Sequence, residues 1–376
     1  MAAGGYEKAR PLLENALDIT RDAKAPDSEM CGCMLDLAFV YKNQGRFAEA
    51  EKMCRKGLEL QEKINGPNHP HVAHTLRILS EIYQGQVRYR RAAEALERAI
   101  EIMQKVGDDD GVEIAPLQVD MARLLVTQGH YARAESMFAE ALTAIESSYG
   151  PDHAYTAKVL TSIARLCMLQ QRHSRAEELA SRALTVLEKV YGENHHFLVP
   201  AWLVMSKTHH VDGELEEARA LLDRSLAVTS NRLDNGRFGE SDVLNRLAEF
   251  HISREDYRRA ESVLRKALKM LENSQDATSD RTAAALNNMA KVHINHDNHT
   301  RAQELCLEAL DILERVFDEH HPHVADVLET LARSHRLSGN ESEAARLRKR
   351  ADQIRGQKRL AYVPARALTT ESLRWR

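Results

Sequence analysis

The chain of 376 residues carries 52 Lys and Arg against 56 Asp and Glu, a formal charge of −4. Nothing global therefore drives binding to nucleic acid, which needs a concentrated basic footprint. Gly (17) and Pro (9) are too sparse for a many-stranded sandwich or barrel, and an apolar fraction of 43% argues against disorder. Aromatic residues make up only 5%, so a core must come mainly from Leu, Ala and Met, strong helix formers, with Ile and Val.

In chain order, the first predicted element is a single amphipathic helix marked by Tyr6, Ala9, Leu13, Ala16 and Leu17. A phrase then returns every 42 residues, led by Phe47, Tyr89, Tyr131, His173, Leu215, Tyr257, His299 and Glu341. Positions below are counted from these leading residues. Three residues on stands Ala in every copy: Ala50, Ala92, Ala134, Ala176, Ala218, Ala260, Ala302 and Ala344. Nine residues back stands Ala or Ser: Ala38, Ser80, Ala122, Ala164, Ser206, Ala248, Ala290 and Ala332. The column just before it is always apolar, from Leu37 to Leu331. Offsets of three, seven, ten and eleven share one helix face. Gly45, Gly129, Gly213 and Gly339 fall between the two halves, where a C-terminal cap and tight turn belong. Each unit therefore reads as helix A, short turn, helix B. The small columns let two helix backbones approach closely while larger neighbours fill the flanks.

Polar connectors separate the units: Gly66 to Ala73, Gly150 to Ala157, Gly192 to Val199 and Asp318 to Ala325, with 107–115, 232–242 and 274–282 departing from that wording. Their Asp and Asn are expected to cap the next helix. The organisation expected is a half-unit with its connector over 1–28, eight helix pairs over 29–352 and a basic tail over 353–376.

This pattern resembles the tetratricopeptide repeat. The small residues at −9, +3 and +10 and the aromatic at the turn match its signature. The 42-residue unit and the connectors resemble the long-helix type of kinesin light chains, as does Leu286-Asn287-Asn288-Met289-Ala290; Leu244-Asn245-Arg246-Leu247-Ala248 matches in part. The resemblance covers about residues 5–352 and implies an all-α, right-handed superhelical solenoid of antiparallel helix pairs. It also implies peptide binding on a concave surface lined by helix A. Because the paired Asn is intact only in the seventh unit and no heptad-repeat segment is seen, motor attachment is not carried over. A cargo adaptor stays a lesser alternative.

On that surface the −8 column reads Phe39, Glu81, Arg123, Arg165, Lys207, Glu249, Lys291 and Arg333. Five basic residues in a net-acidic chain point to a ligand with acidic groups, since guanidinium and ammonium groups pair with carboxylates. A solvated charged helix face is the plainer alternative. At −12, Asn245 and Asn287 can offer amide donors and acceptors to a peptide backbone. The −6 column, Tyr41, Tyr83, Leu125, Cys167, His209, His251, His293 and His335, is expected to pack between helices A and B rather than to sense pH. His69, His71 and His74, and His320, His321 and His323, lack partners at zinc spacing and are expected to be structural.

The five Cys are spread too thinly for a disulfide framework or a metal site. No nucleotide-binding or catalytic phrase occurs, and the carboxylates of Asp108 to Asp110 suit a solvated turn. The sequence therefore implies no enzyme, cofactor or metal. The N-terminus lacks an apolar signal region, and the longest apolar stretch, Phe197 to Met205, is broken by Pro200 and far short of the ~20 residues a membrane span needs. A cytoplasmic protein is expected. Arg348 and Asp352 replace apolar residues in the last copy, as a capping helix requires, and the tail that follows ends in Trp375 and Arg376. The unpaired first helix suggests a fragment of a longer protein or self-association through that helix. The functional expectation is a scaffold that binds acidic peptide segments. The principal alternative is a sensor module of a larger signalling protein, for example one with a nucleotide-hydrolysing domain.

Overall fold

The computed structural model describes residues 3–107, 111–230, 239–272, 279–317 and 319–360. Its described elements are α1 (Ala3–Asp22), α2 (Asp27–Asn43), α3 (Phe47–Asn65), α4 (Pro70–Gly85), α5 (Tyr89–Val106), α6 (Ala115–Thr127), α7 (Tyr131–Tyr149), α8 (Ala154–Leu169), α9 (His173–Tyr191), α10 (Val199–Asp212), α11 (Leu215–Ser230), α12 (Glu240–Ser253), α13 (Tyr257–Glu272), α14 (Asp280–Asn295), α15 (His299–Val316), α16 (Pro322–Leu337) and α17 (Glu341–Leu360). A short 3₁₀ turn, His196–Leu198, precedes α10, and the described residues contain no strand. Even-numbered helices are the A helices of the eight units and the odd ones from α3 onward the B helices. The carboxylates at 108–110 and most of the tail, including Trp375, lie outside the described residues.

The period works through packing. Every Ala of the +3 column and every Ala or Ser of the −9 column is buried. The small residues at +10, from Ala99 to Ala351, are buried with them. At these sites a larger side chain would push the helix axes apart. Leu, Ile and Val fill the spaces between: in the C-terminal repeats Leu264, Leu286, Val292, Leu305, Leu328 and Leu347 share one buried cluster.

The turn between helices A and B has one geometry in seven of the units. The backbone N–H at −1 donates to the carbonyl at −6, as from Arg46 to Tyr41 (2.9 Å), Arg172 to Cys167 (2.8 Å) and Asn340 to His335 (2.8 Å). This six-to-one bond is the Schellman closure of a helix, and it forces the residue between into the left-handed region. Position −2 accordingly has positive φ in every unit. Gly45, Gly129, Gly213 and Gly339 occupy it without strain, but Val87 (φ 60), Gln171 (φ 61), Glu255 (φ 59) and Asp297 (φ 55) do not.

The connectors correct an expectation. Asn68, Asp152 and Asn194 do not cap the following helix; the His that follows each of them does. The Nδ1 atoms of His69, His153 and His321 each accept from the backbone N–H two residues on at 3.2 Å, and His195 Nδ1 accepts from that of Phe197 at 3.3 Å. Pro70 and Pro322 follow directly at the first helical position, where a missing N–H costs nothing. In α14 a Ser takes the capping place: Ser279 Oγ accepts from Thr282 N–H.

The described chain forms two compact units. Of the described residues, the first takes those up to Leu125 and Met137–Thr156, and the second takes Val126–Ser136 and those from Ala157 onward. In unit 1 the half-unit helix α1 packs on α2, where Tyr41 Oη donates to Glu14 Oε1 at 2.7 Å. In unit 2 the turn around Gly129 meets the start of α16. His321 Nε2 lies 2.8 Å from the Thr127 carbonyl, and its ring stacks on Phe317 with centroids 3.8 Å apart. At the far end α17 runs past 352 to Leu360 and buries Ile354, while Arg348 stays exposed.

Candidate functional site

In two places successive A helices meet in the same register, with the −12 residue of one facing the −11 residue of the next. In unit 1 this rung is ionic. Arg77 Nε on α4 donates to Asp120 Oδ2 on α6 at 2.7 Å, and Arg123 Nη1 approaches Asp120 Oδ1 at 3.5 Å. Asp120 is only 5% exposed, so its charge is stable there because two guanidinium groups face it. The buried Tyr155 hydroxyl close by has no hydrogen-bond partner. Burial first, then the Asp120 charge, pushes its pKa up to about 12. Further toward the N-terminus Lys42 pairs with Glu81, and Phe39 packs edge-on against Tyr6.

In unit 2 the same register carries amides. Asn288 Nδ2 on α14 donates to Asn245 Oδ1 on α12 at 2.9 Å, and Lys291 Nζ donates to Asn288 Oδ1 at 3.0 Å. Beside this rung Arg246 Nη1 donates to Glu249 Oε2 at 2.6 Å. Burial pushes the Glu249 carboxyl up, but Arg246, Lys207 and Lys291, with a hydrogen bond from Asn288, hold it below the usual carboxylate range. Burial pushes the Lys207 ammonium down, against the pull of Glu249. Lys207, His210, Arg246 and Glu249 line a small crevice floored by Leu222 and Phe250. Lys207 of α10 and Arg246 of α12 thus share this crevice with the Glu249 carboxylate, and Lys291 of α14 adds a Coulombic pull on it.

The residues singled out in the sequence separate into distinct settings. Lys207, Lys291 and Asn245 come together around Glu249. Arg123 belongs to the ionic rung of unit 1. Arg165 is exposed on α8 near Asp242, and Arg333 is exposed on α16 with Nη2 donating to Asn295 Oδ1 at 3.3 Å. Asn287 is buried at 7% exposure rather than displayed, and its Oδ1 has no partner. Thr330, at −11 of the next unit, donates its hydroxyl to the Asp326 carbonyl.

Sequence reading missed Arg77, Asp120, Arg246, Glu249 and Asn288 as members of these clusters. Four of them occupy the −12 and −11 columns and could be found once the inter-unit register is known. Glu249 was visible in the −8 column, but its role depends on cations from neighbouring helices.

The −6 histidines differ in which B helix they meet. His209 does serve the turn within its own unit, where Nδ1 pairs with Glu214. His251 Nε2 instead lies 3.3 Å from Arg219 Nη1 on helix B of the preceding unit, and His335 Nδ1 lies 3.5 Å from Gln303 Nε2 in the same way. Among the described residues no group of His, Cys, Asp and Glu is arranged to hold a metal, and no helix is long and apolar enough to cross a membrane.

Comparison with known proteins places this geometry. The chain is similar in fold to the apo quorum sensor NprR from B. thuringiensis, at 14% identity over 82% of this chain and 83% of that one, with a TM-score of 0.61. It is similar to a Rap protein complexed with Competence and Sporulation Factor, at 12% identity over 89% and 100%, with a TM-score of 0.60. It is also similar to BtubC (BKLC) from P. vanneervenii, at 20% identity over 60% and 91%, with a TM-score of 0.51. Curated protein sequences give no match. The tetratricopeptide repeat profile matches residues 30–105, 113–189, 155–229, 198–273 and 281–354. With that profile over most of the chain, and the small-residue columns buried as the repeat requires, the chain belongs to the tetratricopeptide repeat family.

Proposed function

We propose that this chain is a non-enzymatic scaffold that binds a peptide segment of another protein along its A helices, and that the segment carries acidic residues. The observation that carries this reading is the cluster in unit 2, where Lys207 and Arg246 share one crevice with the single carboxylate of Glu249 and Lys291 is tied to the neighbouring Asn288. Beside it the Asn245 Nδ2 has no partner among the described residues, so amide donors stand next to excess positive charge. An extended backbone with carboxylate side chains satisfies both. The fold accommodates such a role: the similar Rap protein was solved complexed with Competence and Sporulation Factor.

The test is affinity capture with mass spectrometry, comparing wild type with the double reversal Lys207→Glu and Lys291→Glu. Partners enriched in acidic segments should be captured by the first and lost by the second. The same partners retained at equal yield by the reversal variant would refute the reading.

A further inference from the structure

We propose that Glu249 is a resident carboxylate that occupies part of the ligand site and sets its charge threshold. A segment with two neighbouring acidic residues is then accepted, and one with a single acidic residue is not. This rests on the peptide-binding reading above and deepens it. Glu249 sits on the −8 position of α12, between the −8 lysines of the adjacent A helices, Lys207 and Lys291. Arg246, one turn earlier on the same helix, commits its guanidinium to Glu249 at 2.6 Å. Asn288 and Lys291 are tied to each other at 3.0 Å, and both act on Glu249.

The cluster is therefore partly neutralised from within. A ligand carboxylate entering the crevice meets two uncompensated positive charges and one negative charge of its own sign. A single carboxylate must compete with Glu249 for the Arg246 fork. A pair of carboxylates matches the residual charge and gives each of the half-buried cations a partner. Specificity then comes from a repulsive element built into an attractive site.

The experiment is titration calorimetry at low ionic strength with two probes: N-acetyl-hexaglutamate amide, and a serine peptide of the same length with one central Glu. Wild type is expected to bind the first and not the second. Glu249→Gln, which keeps shape and removes charge, should bind hexaglutamate about tenfold tighter and gain binding of the single-Glu peptide. Lys207→Gln should weaken hexaglutamate about tenfold. Binding by Glu249→Gln that equals or falls below wild type, with an unchanged helical signal, overturns the proposal. If wild type binds and Lys207→Gln abolishes it while Glu249→Gln changes nothing, the groove reading stands and the resident carboxylate falls. If no variant binds either peptide, both fall. Should Glu249→Gln lose its helical signal, Arg246→Gln carries the test. It withdraws the shared guanidinium, and binding about tenfold weaker is expected. Unchanged binding overturns the proposal.

Discussion

Replacing Gly129 by Ala separates two costs that usually come together. Gly129 has φ +75°, and a Cβ added there would lie 2.7 Å from Pro322 Cδ and 3.1 Å from its Cγ. Pro322 cannot swing aside, because its ring is fixed at the first turn of α16 and the adjacent His321 is bonded to the Thr127 carbonyl. The left-handed conformation costs an L-residue about 1–2 kcal/mol, and overpacking against a fixed neighbour adds about 1–3 kcal/mol. Gly213 lies in the same compact unit with φ +85° and nothing within 4 Å of its added Cβ. Gly213→Ala should therefore show only the first cost, and Gly129→Ala about 2–5 kcal/mol in all. Urea denaturation followed by circular dichroism measures both. A double-mutant cycle with Pro322→Ala should return the excess, since the coupling then has a single source. Equal costs at Gly129 and Gly213, or no coupling to Pro322, would refute the assignment of this turn as a packed contact.

Two further outcomes follow from the turns and junctions. Val87 is β-branched and held at φ 60°, so Val87→Gly should raise stability by about 1 kcal/mol in the same urea assay despite the lost side chain; a loss would show that packing of Val87 outweighs its strain. His251, 4% exposed, has its pKa lowered by burial first and then by Arg219 and Arg259; His74, His210 and His293 are lowered by burial too. A base with a depressed native pKa is protonated first in the unfolded chain, so its contribution is present above about pH 6.5 and declines as pH falls below it. His251→Gln, which keeps an acceptor for Arg219, should flatten that decline; an identical pH profile would remove His251 from the account.

How far the fold could be read from the sequence follows from what each column must do. The +3 and −9 residues meet a helix backbone at close range in every unit, so sterics admit little but Ala and Ser whatever the neighbours are. The left-handed turn was legible only at its four glycines. At Val87, Gln171, Glu255 and Asp297 the same conformation is imposed by the bond from −1 to −6, and backbone bonds leave no trace in side-chain identity. The connector caps were misassigned because Asp and Asn are the commoner caps. Here the chain delivers the His imidazole, one residue later, to the free N–H groups. For the site, the sign of the −8 column was legible but its pairing was not. Whether Arg123 or Lys207 is available depends on Asp120 and Glu249, each placed by inter-helix register rather than by local sequence.

That register also decides where a ligand can act. One backbone geometry carries a closed ionic rung in unit 1 and an amide rung in unit 2. Asp120 already has two guanidinium groups, and a ligand carboxylate competing for Arg77 or Arg123 would strand a buried charge, a cost of several kcal/mol. Glu249 faces three cations and leaves positive charge over, while the Asn287 carbonyl oxygen next to Asn288 is buried without a donor. A carboxylate at Lys207 would remove a deficit rather than create one, whereas the Asn287 oxygen is closed off from a ligand. The small-residue columns hold the helices in place equally in both units. The differences at −12, −11 and −8 leave positive charge over in the second unit, and a ligand selected by charge would engage there first.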